Sequence, residues 1–130
     1  MSIFSDTKIL RLHCNQAPES AKVKEFLTLL DFKVDSEFVE FVTHCDGAEG
    51  FVSDDNFVQI WSLEDILALN PYYKEIAVCN NLLFFGSDGS NLGFAVDKLT
   101  GEFVPADFID IGTVTPKRIG ISFREFLNKL

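Results

Sequence analysis

The order of elements along the chain predicts an α+β domain, a bent antiparallel sheet flanked by helices. Three observations carry that reading. Helical apolar spacing fills the stretch up to Cys45, short β-type runs joined by Gly- and Asp/Asn-rich turns fill the middle, and a capped helix closes the chain. Helices segregated from consecutive hairpin-linked strands fit α+β better than an alternating parallel α/β fold. At 130 residues the chain has the size of one domain with one core, so residues 1–130 are read as a single unit.

The elements follow in order. Residues 1–17 are ambiguous, since Ile9, Leu10 and Leu12 suit a short strand or a helical turn equally. Pro18 suits the opening of a helix, and Val23, Phe26, Leu27 and Leu30 have the i, i+3, i+4, i+7 spacing of an apolar helix face. A second helix starts at a cap on Asp35 or Ser36. Its stripe is Phe38, Phe41, Val42 and Cys45, and Asp46-Gly47 ends it, with Gly47 free to take the left-handed conformation. Glu49–Asp55 reads as a short strand and turn. Phe57–Trp61 reads as a strand with Phe57, Gln59 and Trp61 on one face and Val58 and Ile60 on the other.

Ser62-Leu63-Glu64-Asp65 has the form of a capping box opening a short helix, which Asn70-Pro71 is expected to end, because the residue before proline avoids helical angles. Leu82–Phe85 is an unbroken apolar run, as in a strand buried on both faces. Gly86 to Asn91 reads as a turn built on Gly86, Asp88 and Gly89. Leu92–Val96 returns, Lys98–Gly101 turns again, Glu102–Val104 follows, and Phe108–Ile111 is a candidate last strand. Ser122-Phe123-Arg124-Glu125 is a second capping box, and Phe123, Phe126, Leu127 and Leu130 face a core.

Charge is the most informative feature of the composition. Eleven Lys and Arg stand against twenty Asp and Glu, a net charge of -9. Val34–Tyr73 contains no Lys or Arg but holds nine acids: Asp35, Glu37, Glu40, Asp46, Glu49, Asp54, Asp55, Glu64 and Asp65. The other eleven acids are cancelled by the eleven bases, so the whole net charge belongs to that span. Such a balance disfavours direct nucleic-acid binding, which depends on clustered Lys and Arg, and disfavours an anionic membrane surface. Uncharged apolar stretches fall well short of the roughly 18 residues of a membrane span. The first residues lack the h-region of a signal peptide, so the expected location is cytoplasmic.

Three cysteines are an odd number in a chain long enough to do without disulfide staples, so free, mostly buried thiols are expected. His13-Cys14 and His44-Cys45 hint at zinc, but adjacent residues point in different directions and no Cys-x-x-Cys is present. Residues 86–93 are glycine-rich, yet a phosphate loop wants a following helix and usually a Lys, whereas hairpin turns favour this Asp-Gly chemistry. His44 and Cys45 with nearby acids form the one arrangement that suggests a small-molecule, metal or nucleophilic site, and Glu49, Asp54 and Asp55 lack the spacing of a calcium loop. The expectation is a domain without catalytic residues, cofactor or metal. Fourteen Phe are core candidates first, with Phe51, Phe57 and Trp61 the candidate anchors for a partner.

The segment Phe38-Val39-Glu40-Phe41-Val42 running into His44-Cys45-Asp46-Gly47-Ala48-Glu49-Gly50 resembles the helix and Asn-Gly turn of the SUKH superfamily, which includes fungal cell-wall synthesis regulators and many bacterial immunity proteins. Trp61-Ser62-Leu63-Glu64-Asp65-Ile66 followed by Asn70 is similar to the family's strand, Trp and short helix. Leu83 to Gly89 resembles its central strand and Gly-x-Asp-Gly turn, Phe94-Ala95-Val96-Asp97 its return strand, and Ser122 to Leu127 its closing helix. The match runs from about residue 20 to 130, with Asp46 in place of the usual Asn and Val34-Asp35 where Leu-Pro is common. The resemblance implies a protein-binding role, either an immunity protein that neutralises a toxin domain, many of which are nucleases, or a regulatory scaffold. A basic toxin surface would be drawn to the acidic segment.

Overall fold

A computed structural model describes residues 4, 7–75, 81–107 and 118–130. The elements are β1 (His13–Cys14), α1 (Ser20–Leu29), α2 (Ser36–His44), β2 (Ala48–Phe51), β3 (Phe57–Ile60), α3 (Leu63–Lys74), β4 (Leu82–Ser87), β5 (Leu92–Asp97), β6 (Phe103–Asp107) and α4 (Phe123–Asn128). The six strands form one sheet in sequence order, each antiparallel to its neighbours. The fold is α+β, as the element order implies. Of the two readings of Ile9, Leu10 and Leu12 the helical turn holds: Ile9–Arg11 form a 3-10 turn, and β1 begins only at His13. The expected strand at Phe108–Ile111 lies outside the described residues.

The core is mostly phenylalanine. From α2, Phe38 meets Phe85, Phe103 and Phe123 with ring centroids 4.8, 5.6 and 5.6 Å apart, all edge to face. From α4, Phe126 meets Phe94 at 4.9 Å and Phe85 at 5.5 Å. Edge-to-face rings add attraction beyond the area they bury, so two short helices are fixed firmly on the sheet. The apolar stripe of α2 is buried as its spacing predicts. Leu27 of α1 is an exception at 47% exposed, while Phe26 beside it is fully buried. A helix of ten residues turns only a narrow face to this core, too narrow for both neighbours.

Gly86 is not in a turn. It lies inside β4, where Phe84 pairs with Ala95 and Gly86 with Phe94, leaving Phe85 as an extra residue between them. This bulge sends Phe84 to a small cluster with Leu82, Ala95, Val104 and Ala106, and Phe85 to the main core. A side chain at Gly86 would collide with the carbonyl of Gln59 on β3, so glycine serves close strand approach here rather than turn geometry. Asp88 and Gly89 do form the turn: the Asp88 carboxylate accepts from the N–H of Ser90 and Leu92, and Gly89 has φ +81°.

α3 does not stop at Asn70-Pro71 but runs through to Lys74. Asn70 accounts for this. Its side-chain oxygen accepts from the Phe84 N–H at 2.8 Å, and its Nδ2 donates to the Phe84 carbonyl at 2.9 Å and to the Ile66 carbonyl at 2.6 Å. β3 pairs with β4 at Ser87 and Gly86, the Trp61 N–H still donates to the Phe85 carbonyl at 2.8 Å, and beyond that point the Asn70 amide takes up the Phe84 backbone and holds the helix to the sheet past the proline. Tyr73 then packs on Phe84, with ring centroids 4.5 Å apart and the planes tilted by 37°.

The expectation of free thiols fails for two of the three cysteines. Cys14 and Cys45 form a disulfide across 31 residues. The sequence places them far apart, but the β1–β2 pairing sets Cys14 opposite Ala48, within reach of the residue that ends α2. Cys79 lies outside the described residues.

Two stability outcomes follow. Replacing both Cys14 and Cys45 with Ser releases a 31-residue closed loop and should lower unfolding free energy by about 3 kcal/mol in urea titration. Asn70→Ala should cost about 2 kcal/mol, because it removes the two hydrogen bonds that the amide makes to the Phe84 backbone; a change under about 0.5 kcal/mol would show that water replaces the amide freely.

Candidate functional site

The nine acids of the basic-free span do not form one surface. Three carry backbone or ion-pair work inside the fold. The Phe123 N–H donates to Asp35 Oδ2 at 2.9 Å, so this residue stands at the N-cap position of α2 as expected but gives its carboxylate to the first N–H of the distant α4. Glu37 holds Arg124 through two of its guanidinium nitrogens at 2.8–3.0 Å. The Leu63 N–H donates to Asp46 Oδ1 at 3.0 Å, and Ser62 Oγ accepts from the Asp65 N–H, so both tether the start of α3. Orphan N–H groups at helix starts are thereby satisfied from outside the helix.

Four of the others, together with Asp46, divide between the ends of the β2–β3 hairpin. At the end where α3 begins, Asp46, Glu49 and Asp65 line a cleft of about 210 Å³ together with Asn15, Gln59 and Trp61. Glu49 and Asp65 are exposed and Trp61 is half-buried. Register explains the floor: His13, Glu49, Gln59 and Ser87 stand side by side across β1 to β4, so their side chains share one face. Ser87 Oγ donates to Gln59 Oε1 at 3.4 Å. At the opposite hairpin end Asp54 and Asp55 are exposed in the turn, and Asp55 shares a second, smaller cleft with Asp88. Ala48 and Phe51 are three strand steps apart, so about 10 Å of β2 separates the two acidic groups. Glu40 and Glu64 are exposed on α2 and α3, outside both clefts.

The aromatic candidates divide in the same way. Trp61 packs partly against both apolar clusters while lining the first cleft. Phe51 is 53% exposed and meets half-buried Phe57 edge to face at 5.2 Å, beside the Asp54–Asp55 turn. Gly47 has φ +91° and places Asp46 at the cleft. Asn15 and Gln59 are lining residues that sequence reasoning does not single out. The alternating pattern of β3 already marked Gln59 as a neighbour of Trp61, but nothing local marks Asn15, which arrives through the β1–β2 pairing.

The His44–Cys45 arrangement does not survive as a site. The Cys45 sulfur is bonded to Cys14, and the residue is only 3% exposed, so it offers no thiolate to a metal or substrate. His44 Nδ1 sits 2.7 Å from the Glu40 carbonyl, one helical turn back. Among the described residues no three His, Cys, Asp or Glu are placed to hold a metal, and no helix is long and apolar enough to cross a membrane. The lining of the first cleft has neither cysteine, histidine nor lysine, and its Ser62 hydroxyl is engaged in capping α3. The arrangement suits reception of cationic groups: carboxylates to pair with them, amides to share hydrogen bonds, and an indole wall for their apolar stems.

No protein-family model matches the chain, and no curated protein does.

The Glu37–Arg124 pair makes stability pH-dependent. The hydrogen bonds from Arg124, with its charge, hold the Glu37 carboxyl below the ordinary glutamate value of 4.5, against a smaller opposing effect of burial. A depressed folded-state value means stabilisation that is complete above 4.5 and lost as pH falls through the folded value. Glu37→Gln should therefore cost about 1 kcal/mol at pH 7. The difference from the unaltered protein should shrink as pH falls below 4.5 and through the lowered folded value, in parallel urea titrations. A difference constant with pH would mean that the ion pair is not its source.

Proposed function

We propose that this chain is a non-enzymatic binding domain that captures a basic protein surface, acting as an immunity-type protein that neutralises a toxin domain in the manner of the SUKH superfamily it resembles. The observation that carries the reading is the cleft in which Asp46, Glu49 and Asp65 converge beside Trp61, within the span 34–73, where nine acids stand without a Lys or Arg. Nuclease toxins present cationic substrate-binding surfaces. An acidic partner is steered to them and blocks them by occupying the surface, with no chemistry required of the inhibitor. The exposed Phe51 and half-buried Phe57 supply a second, apolar contact about one hairpin length away. A toxin that acts on nucleic acid inside the cell would be met in the cytoplasm.

The test is capture from the source cell at low salt, followed by association kinetics with the captured protein. The reading expects a basic partner whose association rate falls steeply with salt. Glu49→Lys with Asp65→Lys should slow association by about tenfold at low ionic strength, and Asp54→Lys with Asp55→Lys should slow it less. A partner of acidic or balanced charge, or a rate indifferent to both salt and the Glu49/Asp65 reversal, would sink the reading.

A further inference from the structure

The cleft is assembled from two pieces of chain that the disulfide joins. Asn15 follows Cys14 and Asp46 follows Cys45 directly. The Asn15 N–H donates to the Gly47 carbonyl and the Asp46 N–H to the Gln16 carbonyl, both at 3.0 Å, while Asn15 Nδ2 donates to the Asp46 carbonyl at 3.2 Å. Residues 9–16 thus form a strap along the outer edge of β2, and one end of the strap is a wall of the cleft. The strap lies close: a Cβ on Gly50 would stand 2.7 Å from the Arg11 carbonyl oxygen.

Besides the disulfide, the strap is held by its pairing with β2, by the hydrogen bonds among Asn15, Gln16, Asp46 and Gly47, and by Arg11 Nη1, which donates to the Val52 carbonyl at 3.4 Å. β1 has two residues and is the edge of the sheet. Of the main core's buried residues, only Ile9 and Leu12 come from the strap, and the phenylalanine cluster between helices and sheet draws on none of it. Cys14 is exposed, whereas Cys45 is buried, so an incoming thiol has one sulfur to reach. A bridge that is accessible on one side and joins the main core to an edge strap supplying only two of its buried residues has the form of a reversible clasp.

We propose that the Cys14–Cys45 disulfide is a redox clasp on the acidic cleft: a dithiol reductant opens it, the 9–16 strap detaches from β2, and the cleft loses its Asn15 wall while the rest of the domain stays folded. A reductant thiolate attacks Cys14 Sγ to form a mixed disulfide, and Cys45 leaves as thiolate and takes up a proton. The second thiol of the reductant then displaces Cys14, which is protonated in turn. The protein gains two electrons and two protons, and the reductant becomes a cyclic disulfide. The consequence for binding rests on the reading of the cleft as a basic-partner site; the movement of the strap does not.

The experiment uses the full chain with Cys79→Ser, oxidised or treated with dithiothreitol, read in three ways. Trypsin cuts the Arg11–Leu12 bond only when the strap is loose, and reduction should speed that cut by on the order of tenfold or more. Trp61, the only tryptophan, lines the cleft, and its emission should shift to the red on reduction. A labelled oligolysine peptide at low salt should bind the oxidised form about tenfold more tightly. Reduced protein must keep a cooperative thermal transition, and Cys14→Ser with Cys45→Ser should reproduce the reduced behaviour without dithiothreitol. Unchanged proteolysis and emission, global unfolding on reduction, or alkylation of Cys14 before any reductant is added would each overturn the clasp. Equal oligolysine binding by both forms overturns its gating of the cleft. Oligolysine bound by neither form counts against the basic-partner reading instead, and leaves proteolysis and emission to decide the clasp.

Discussion

Phe38 and Phe126 both meet the same phenylalanine, Phe85, edge to face, and that three-ring contact decides where everything else can sit. α2 and α4 are nine and six residues long, too short to be stable alone. They persist because their rings lock into one another and into the sheet. Phe85 reaches this position only because β4 carries an extra residue, and the strands can approach there only because Gly86 has no side chain. The interior close-packs around these rings, so a shift in any of them is felt by both helices.

Once the helices are pinned, their ends need partners, and acidic side chains supply several of them. Asp35 and Asp46 each accept the first backbone N–H of a helix other than their own, α4 and α3 respectively, and Glu37 ties α2 to α4 through Arg124. The acidic span therefore does two jobs. Its inner members knit the helices together, and its outer members, Glu49 and Asp65 foremost, give one end of the hairpin a strong negative field. Net charge alone does not distinguish these roles; burial and hydrogen-bond partners do.

Most of the framework was legible because local rules govern it. The α2 stripe, the Ser62 and Ser122 caps, the left-handed Gly47 and the alternation of β3 all depend on residues within a few positions of one another. What escaped depends on residues far apart in sequence. Pro71 reads locally as a helix end, and only the bond from Asn70 to Phe84 shows why the helix continues. Gly86 sits among turn formers, and only the neighbouring strand shows why it is glycine. The thiols of Cys14 and Cys45 look independent until β1 is laid against β2. The candidate cleft was legible in its acids and in Trp61, but its Asn15 wall depends on that same pairing.

Asn70 followed by Pro71 has a chemical consequence of its own. Asparagine side chains age by attack of the next residue's backbone nitrogen on the side-chain carbonyl, giving a succinimide that opens to aspartate. Proline has no N–H to give up, so that route is closed at the one amide that completes the β4 edge. Aspartate there would set a negative oxygen against the Phe84 carbonyl, where Nδ2 now donates. The proline that costs α3 a hydrogen bond thus protects the side chain that binds α3 to the sheet, over the lifetime of the molecule and not only at folding.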